Sequence, residues 1–210
     1  MPELPEVETV RRGLDPWLAG KKIKQIETFH PRAVRAGSEI ALDAIRGARI
    51  LRVDRRGKFL WFVLDRDISL VGHLGMSGQI LAAPRKSELE RHLRARIDVG
   101  DKAREFRFID QRTFGWLSVE KLVSNKYGLL PECCAHIAPD IFSPDFNERH
   151  VIAEIRRRKI EIKKALLNQE ILSGIGNIYA DEALWYAKIH PETKTSSLSE
   201  LEIREILKSV

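Results

Sequence analysis

The feature that most restricts what this chain can fold into is a change of hydrophobic period partway along it. From Lys22 to Phe114 the apolar residues fall into short runs: Ile23 to His30, Ala48 to Val53, Phe59 to Leu64, Ile68 to Leu74, Arg94 to Val99 and Phe106 to Ile109. Each is rich in Ile, Val, Phe and Leu and is bounded by Gly, Asp or Pro, as antiparallel strands of a sandwich are. A short helix over Ser38 to Arg46 is expected to interrupt them. Pro131, Pro139 and Pro144 then break the pattern, and beyond them the spacing becomes helical. Phe146, Val151, Ile152 and Ile155 share one side of Asp145 to Lys159, Ile162 to Asn168 forms a second helical segment, and a last helix starts near Ser199 with no visible C-terminal cap. Ahead of the strands, Val7, Val10, Leu14, Trp17 and Leu18 recur at helical spacing from Pro5 to about Ala19, and Gly20 is placed to end that helix. The expected fold class is α+β: an antiparallel β-sandwich with flanking helices over residues 1–130, then an all-helical domain over 131–210.

Charge narrows the partner. The 210 residues carry 36 Lys plus Arg against 30 Asp plus Glu, a net charge of +6, which favours a polyanion. The strand region holds two basic sets, Arg52, Arg55, Arg56 and Lys58, and Arg91, Arg94, Arg96, Arg104, Arg107 and Arg112. Such sets are either a solvated sheet face or a track for phosphates. Two adjacent cysteines, Cys133 and Cys134, are too few for a disulfide framework or a complete metal site and read as reduced thiols. No apolar run approaches a transmembrane helix, and the acid-rich start is unlike a signal peptide, so a cytoplasmic protein without a membrane partner is expected.

The chain begins Met1-Pro2-Glu3-Leu4-Pro5-Glu6-Val7-Glu8. Removal of Met1 would leave Pro2 as a secondary amine. An α-amino group has a reference pKa of roughly 8 against roughly 10.4 for lysine, so far more of it is uncharged at neutral pH. With an aldehyde it gives a cationic iminium, an electron sink that favours elimination. The same residues also suit a helix start, with Pro2 and Pro5 stiffening the first turn and Glu3, Glu6 and Glu8 facing the positive end of the dipole. Glu3 differs from the other two because it adjoins the amine, where a proton shuttle would stand.

Three loops complete the pattern. Gly72-His73-Leu74-Gly75-Met76-Ser77-Gly78 spends three glycines in seven residues around a flexible apolar side chain. Asp110-Gln111-Arg112-Thr113-Phe114-Gly115 sets an arginine and a phenylalanine two apart at a turn. Met76 is either a core methionine or, with Arg112 and Phe114, a wedge of the kind that fills a duplex after a nucleotide is extruded. Between Leu172 and Glu182, Gly174 and Gly176 precede Asn177, a good N-cap for a helix carrying Ile178, Ala183, Leu184 and Trp185 inward. Such a turn presents backbone amides to a phosphate.

Taken together, the Pro-Glu-Leu-Pro-Glu-Val-Glu start, the Arg55 to Lys58 turn, the His-Leu-Gly-Met-Ser-Gly loop, Asp110 to Gly115, and Gly174 to Glu182 resemble the formamidopyrimidine-DNA glycosylases, in that family's order and over nearly the whole chain. The resemblance implies a helix-two-turns-helix as the second domain and damaged double-stranded DNA as partner. It implies Pro2 as nucleophile, Glu3 as proton shuttle and Lys58 in base release and phosphate contact. Glu6 and Glu182 would support the site, and Met76, Arg112 and Phe114 would fill the vacated stack. His92, Arg112, Arg158, Lys163 and Asn177 would contact DNA. The implied reaction is removal of oxidised purines such as 8-oxoguanine and formamidopyrimidines, then β,δ-elimination, by a monomer. Two departures stand out: Thr113 replaces an arginine found in many members, and the family's four zinc-binding cysteines are absent, so no metal is expected. Weaker DNA binding follows, with base excision impaired more than cleavage at abasic sites. An endonuclease VIII type enzyme for oxidised pyrimidines and a catalytically silent DNA-binding remnant are the alternatives.

Overall fold

Alternation of buried and open positions is what turns the short apolar runs into strands. In the strand Leu93–Asp98 of the computed structural model, which describes residues 2–210, Leu93, Ala95 and Ile97 are buried while Arg94, Arg96 and Asp98 are partly open. Met1, whose removal the Pro2 chemistry needs, lies outside the described residues. The order is α1 (Leu4–Leu18), β1 (Gln25–Thr28), β2 (Ile50–Arg56), β3 (Phe59–Leu64), β4 (Ile68–His73), β5 (Gly78–Pro84), β6 (Leu93–Asp98), β7 (Arg104–Asp110), β8 (Trp116–Asn125) and β9 (Gly128–Pro131). They form two antiparallel sheets, β1-β6-β7-β5 and β2-β3-β4-β8-β9, which share one core. Phe62 of β3 meets Phe106 of β7 edge-on across that core, ring centroids 5.5 Å apart. Burying a side chain of this size contributes roughly 1.5–3 kcal/mol.

Helix α1 adds Val7, Leu14 and Leu18 to the same core, and Gly20, at φ +83°, turns the chain out of it. The Val53 amide donates to the Asp15 carboxylate at 2.7 Å, which pins the helix to β2. The antiparallel sandwich is as the sequence implied, with three strands more. Strand β8 departs from apolar alternation because polar partners allow one of its acids to be buried, while β5 buries Ile80 and Ala83 between open positions and β9 has only four residues. Glu120 of β8 is 9% exposed, accepting from Arg35 at 3.0 Å and Ser118 at 2.7 Å. The expected helix over Ser38 to Arg46 shrinks to a single 3-10 turn, Leu42–Ile45, because Ile40 is held extended in a bridge to Val119.

The chain divides into two units between Ala135 and His136. Strand β9 stays paired with β8, and Asn125 donates to the Ala135 carbonyl at 3.0 Å, so this segment belongs with the sandwich. The second unit contains α2 (Glu148–Arg157), α3 (Ile162–Leu167), α4 (Asn177–Tyr186) and α5 (Glu200–Lys208) around a separate core that includes Ile155, Ile162, Leu166, Leu172 and Ile203. Asn147 caps α2, and Ser199 with Glu202 forms a capping box on α5. Gly176, not Asn177, is the N-cap of α4. Of the residues expected to point inward there, Ala183 and Leu184 do so, whereas Trp185 is 81% and Ile178 59% exposed. At 3.6 residues per turn the buried stripe runs through Ala180, Ala183 and Leu184 and leaves 178 and 185 on the other side. No helix among the described residues is long and apolar enough to cross a membrane.

Candidate active site

The start of α1 is built by two acids. Glu3 is its N-cap: its carboxylate accepts from the Glu6 amide while the Glu6 carboxylate accepts from the Glu3 amide at 3.0 Å. Glu3 is 2% exposed, and half-buried Pro2 precedes it. Glu6 therefore closes the cap, and Glu8 has a third task. Its carboxylate binds Arg11 and Arg55, each at 2.9 Å, and Arg12 at 2.7 Å. The Arg11 hydrogen bond leads, against some burial, in holding Glu8 down at about 2. The helix start is thereby locked to β2.

Lys58 occupies the two-residue turn between β2 and β3, where Gly57 takes φ +53°. Burial lowers the pKa of the Lys58 ammonium, and the charge of Glu3 opposes that shift. The fold thus brings Glu3 and Lys58, 55 positions apart, into electrostatic reach in one half-buried corner. His73 joins them at the end of β4. It stacks on Trp116 (centroids 5.4 Å, 17°) and contacts Phe59 at 5.0 Å. Burial, then the charge of Lys58, pushes its pKa down, and its Nδ1 accepts from the Gly75 amide at 3.2 Å. The sequence marks His73 only as part of its glycine-rich motif; its aromatic neighbours across the sheet, which sequence does not show, reveal its position.

From Gly75 the two expected wedge loops come together. Asp110, fully buried, accepts from Ser77 Oγ at 2.6 Å, from the Gly115 amide at 2.7 Å and from the Arg112 amide at 3.2 Å. Arg94 Nε donates to the Asp110 carbonyl at 2.6 Å, and the Asp110 amide donates to the His92 carbonyl at 3.0 Å. A Cβ on Gly75 would lie 2.5 Å from the Gly115 nitrogen, so these backbones touch where only glycine fits. Above this joint Met76 is 43% and Phe114 55% exposed, and the Arg112 guanidinium stands 5.7 Å from the Phe114 ring centroid. Apolar side chains thus stand in solvent on a tightly joined double loop. The core placement of Met76 is excluded.

The basic sets are not one open track. Arg107 is wholly buried, bound to Glu105 at 2.8 Å and Glu90 at 3.1 Å. Arg96 pairs with Glu27, Arg52 with Asp54, and Arg56 lies over the Tyr127 ring at 4.9 Å. Acids on the same strand, on a neighbouring strand or in an adjoining loop neutralise much of what looks, in linear order, like unrelieved positive charge. Arg91 and Arg112 remain exposed.

In the second unit the turn before α4 is held by Gln169, whose amide donates to the Leu167 and Ile175 carbonyls and whose Oε1 accepts from the Gly174 amide at 2.9 Å. Gly174 takes φ +94°. Asn177 stands exposed on the first turn of α4, and Lys163 pairs with Asp181 at 2.7 Å. Arg158 is half-buried at the C-cap of α2, and Glu182 is exposed on α4.

Residues 1–117 match the formamidopyrimidine-DNA glycosylase N-terminal domain, and residues 137–210 match the H2TH domain of the same enzymes. This chain belongs to the formamidopyrimidine-DNA glycosylase family. A relative so named from Thermobifida fusca is 46% identical over all of this chain and 75% of its own length. One from Salinispora tropica is 50% identical over 95% of this chain and 69% of its own. Among solved structures, the Lactococcus lactis enzyme bound non-covalently to DNA containing an abasic site is 33% identical, with a TM-score of 0.81, over 99% of this chain and 78% of that one. The family consists of DNA glycosylases of base-excision repair, and its second domain is the helix-two-turns-helix.

Proposed function

We propose that this chain removes oxidised purines, 8-oxoguanine and formamidopyrimidines, from double-stranded DNA and then cleaves the strand as an abasic-site lyase. The observation that carries the reading is the corner in which Glu3 and Lys58 meet beside Pro2, in the same unit as the Met76 and Phe114 wedge. Lactococcus lactis relatives solved with abasic-site DNA and with DNA containing a formamidopyrimidine lesion support the substrate class.

In this reading Met76 and Phe114 fill the gap left by an extruded nucleotide, and Arg112 faces the widowed base. The Pro2 amine attacks C1′ of the damaged nucleotide and the base departs. Buried Glu3 transfers protons as the sugar ring opens, and the iminium on Pro2 draws electrons for β-elimination and then δ-elimination. Lys58, with its charge close to Glu3, assists base release and contacts phosphate. Glu6 keeps Glu3 in place through the cap, and Glu182 is assigned a supporting role. His92, Arg158, Lys163 and Asn177 bind the DNA backbone. None of these steps uses a metal.

The protein would act as a cytoplasmic monomer. The test is borohydride trapping on abasic-site DNA with protein verified to begin at Pro2. A covalent adduct that disappears when the N-terminal amine is acetylated supports the mechanism; no adduct leaves only a DNA binder. Release of 8-oxoguanine against thymine glycol from matched duplexes then decides between purine and pyrimidine lesions.

A further inference from the structure

The adjacent thiols have no part in this chemistry, and the fold gives them a distinct setting. Cys133 and Cys134 close a 3-10 turn, Glu132–Cys134, with their sulfurs 3.6 Å apart. Cys134 is fully buried, while Cys133 is half-buried and lines an open cleft of about 240 Å³ with Arg35, Ser38, Glu120 and Glu132. One sulfur is thus reachable from solvent and the other is reachable only from the first. Two thiolates at this spacing would begin a zinc site, but among the described residues no group of three or more His, Cys, Asp or Glu side chains converges to hold a metal. That leaves the chemistry of a dithiol.

We infer that Cys133 and Cys134 form a peroxide-reactive dithiol that closes to a reversible vicinal disulfide. The Cys133 sulfur attacks one oxygen of hydrogen peroxide. The O–O bond breaks, and the Cys133 proton leaves with the other oxygen as water, giving a sulfenic acid. The Cys134 sulfur then attacks the Cys133 sulfur, the S–O bond breaks, and the departing hydroxide takes the Cys134 proton as a second water. Two thiols have lost two electrons and two protons, and the peroxide has gained both. The hydrogen bond to Cys133 and burial hold the Cys134 thiol well above the ordinary thiol range, which keeps it the resolving partner and not the first to react.

Reversibility follows from geometry. Neighbouring Cα atoms lie about 3.8 Å apart across a trans peptide, shorter than the roughly 4.4–6.8 Å that unstrained disulfides span. A disulfide here is strained, and strained disulfides are readily reduced. Closure would also act at a sensitive place, because Ala135, the next residue, is the last of the first unit and accepts the Asn125 side chain at 3.0 Å.

The test is stepwise peroxide oxidation of the whole chain followed by peptide mass mapping. The expected product is one peptide bearing both cysteines, lighter by two hydrogens and restored by dithiothreitol. In Cys134→Ser, trapping of sulfenic acid at Cys133 by dimedone should rise severalfold over wild type; in Cys133→Ser, oxidation of Cys134 should slow severalfold. Because Cys134→Ser places a hydroxyl in the core, the wild-type map decides if that variant fails to fold. Sulfinic or sulfonic acid on Cys133 without the internal disulfide, or disulfides only between chains, would overturn the inference.

Discussion

The Ser77 hydroxyl meets the Asp110 carboxylate at 2.6 Å across 33 positions of sequence, and this contact joins the two loops that carry Met76 and Phe114. The same carboxylate holds the Arg112 and Gly115 amides. Asp110 is thus the keystone of the double loop, and its backbone ties that loop to His92 and Arg94 of the neighbouring strand segment.

Replacing Asp110 by Asn keeps the shape but turns one acceptor into a donor facing donors. Leaving such buried groups unsatisfied costs about 1–3 kcal/mol. Urea denaturation of Asp110→Asn should show that loss, and affinity for duplex with a flipped-out abasic analogue should fall more than affinity for undamaged duplex. Equal loss on both duplexes would separate Asp110 from the wedge.

Two glycine substitutions should move stability in opposite directions. At Gly75, φ is +58° and an added Cβ would meet backbone at 2.5 Å, so Gly75→Ala forces the loops apart at a cost of about 1–3 kcal/mol or more. Gly13 sits exposed inside α1 with nothing within 4 Å of an added Cβ, and Gly13→Ala should stabilise by about 0.5–1 kcal/mol through helix propensity. Thermal melts of the two variants side by side check both signs.

Glu8 sets an acid limit on the sandwich. Its folded pKa, about 2, lies below the ordinary 4.5, so its contribution is complete above the unfolded value and is lost as pH falls from about 4.5 towards about 2. Glu8→Gln should be less stable than wild type at pH 7 and should show a flatter stability curve across that acid window. Parallel curves for the two proteins there would remove Glu8 from the account.

Lys58 gives an alkaline limit to catalysis under the proposed function. Burial lowers its pKa, so a step that needs its charge fails as pH rises through a value below that of free lysine. Lys58→Arg keeps the charge to much higher pH. Single-turnover base release should then retain its rate further into alkali, at whatever reduced plateau the larger group imposes.

In the helical unit Lys163 is paired with Asp181, which under the proposed function would compete with phosphate for it. Asp181→Asn should tighten DNA binding, and Lys163→Ala should lower the slope of log K against log salt by about 1. Fluorescence anisotropy at several salt concentrations measures both.

Sequence alone determined the division into a strand region and a helical region and the residue types in each motif. Short apolar runs before the prolines and helical spacing after them announce a sandwich and a helical unit; Pro2, Glu3, Met76 and Phe114 stand out by type or setting in linear order, and Lys58 through the resemblance to the family. Tertiary structure decided everything that depends on partners distant in the chain. Glu120 can be buried in β8 because Arg35, 85 positions away, donates to it. Arg107 reads as surface charge until Glu105 and Glu90 close around it. Trp185 points outward because α4 already fills its core stripe with Ala180, Ala183 and Leu184. The keystone contact of Ser77 with Asp110 has no local signature at all. Local propensity and period act within a few residues and are written along the chain, whereas hydrogen bonds and ion pairs between strands exist only once the register that brings them together has been set.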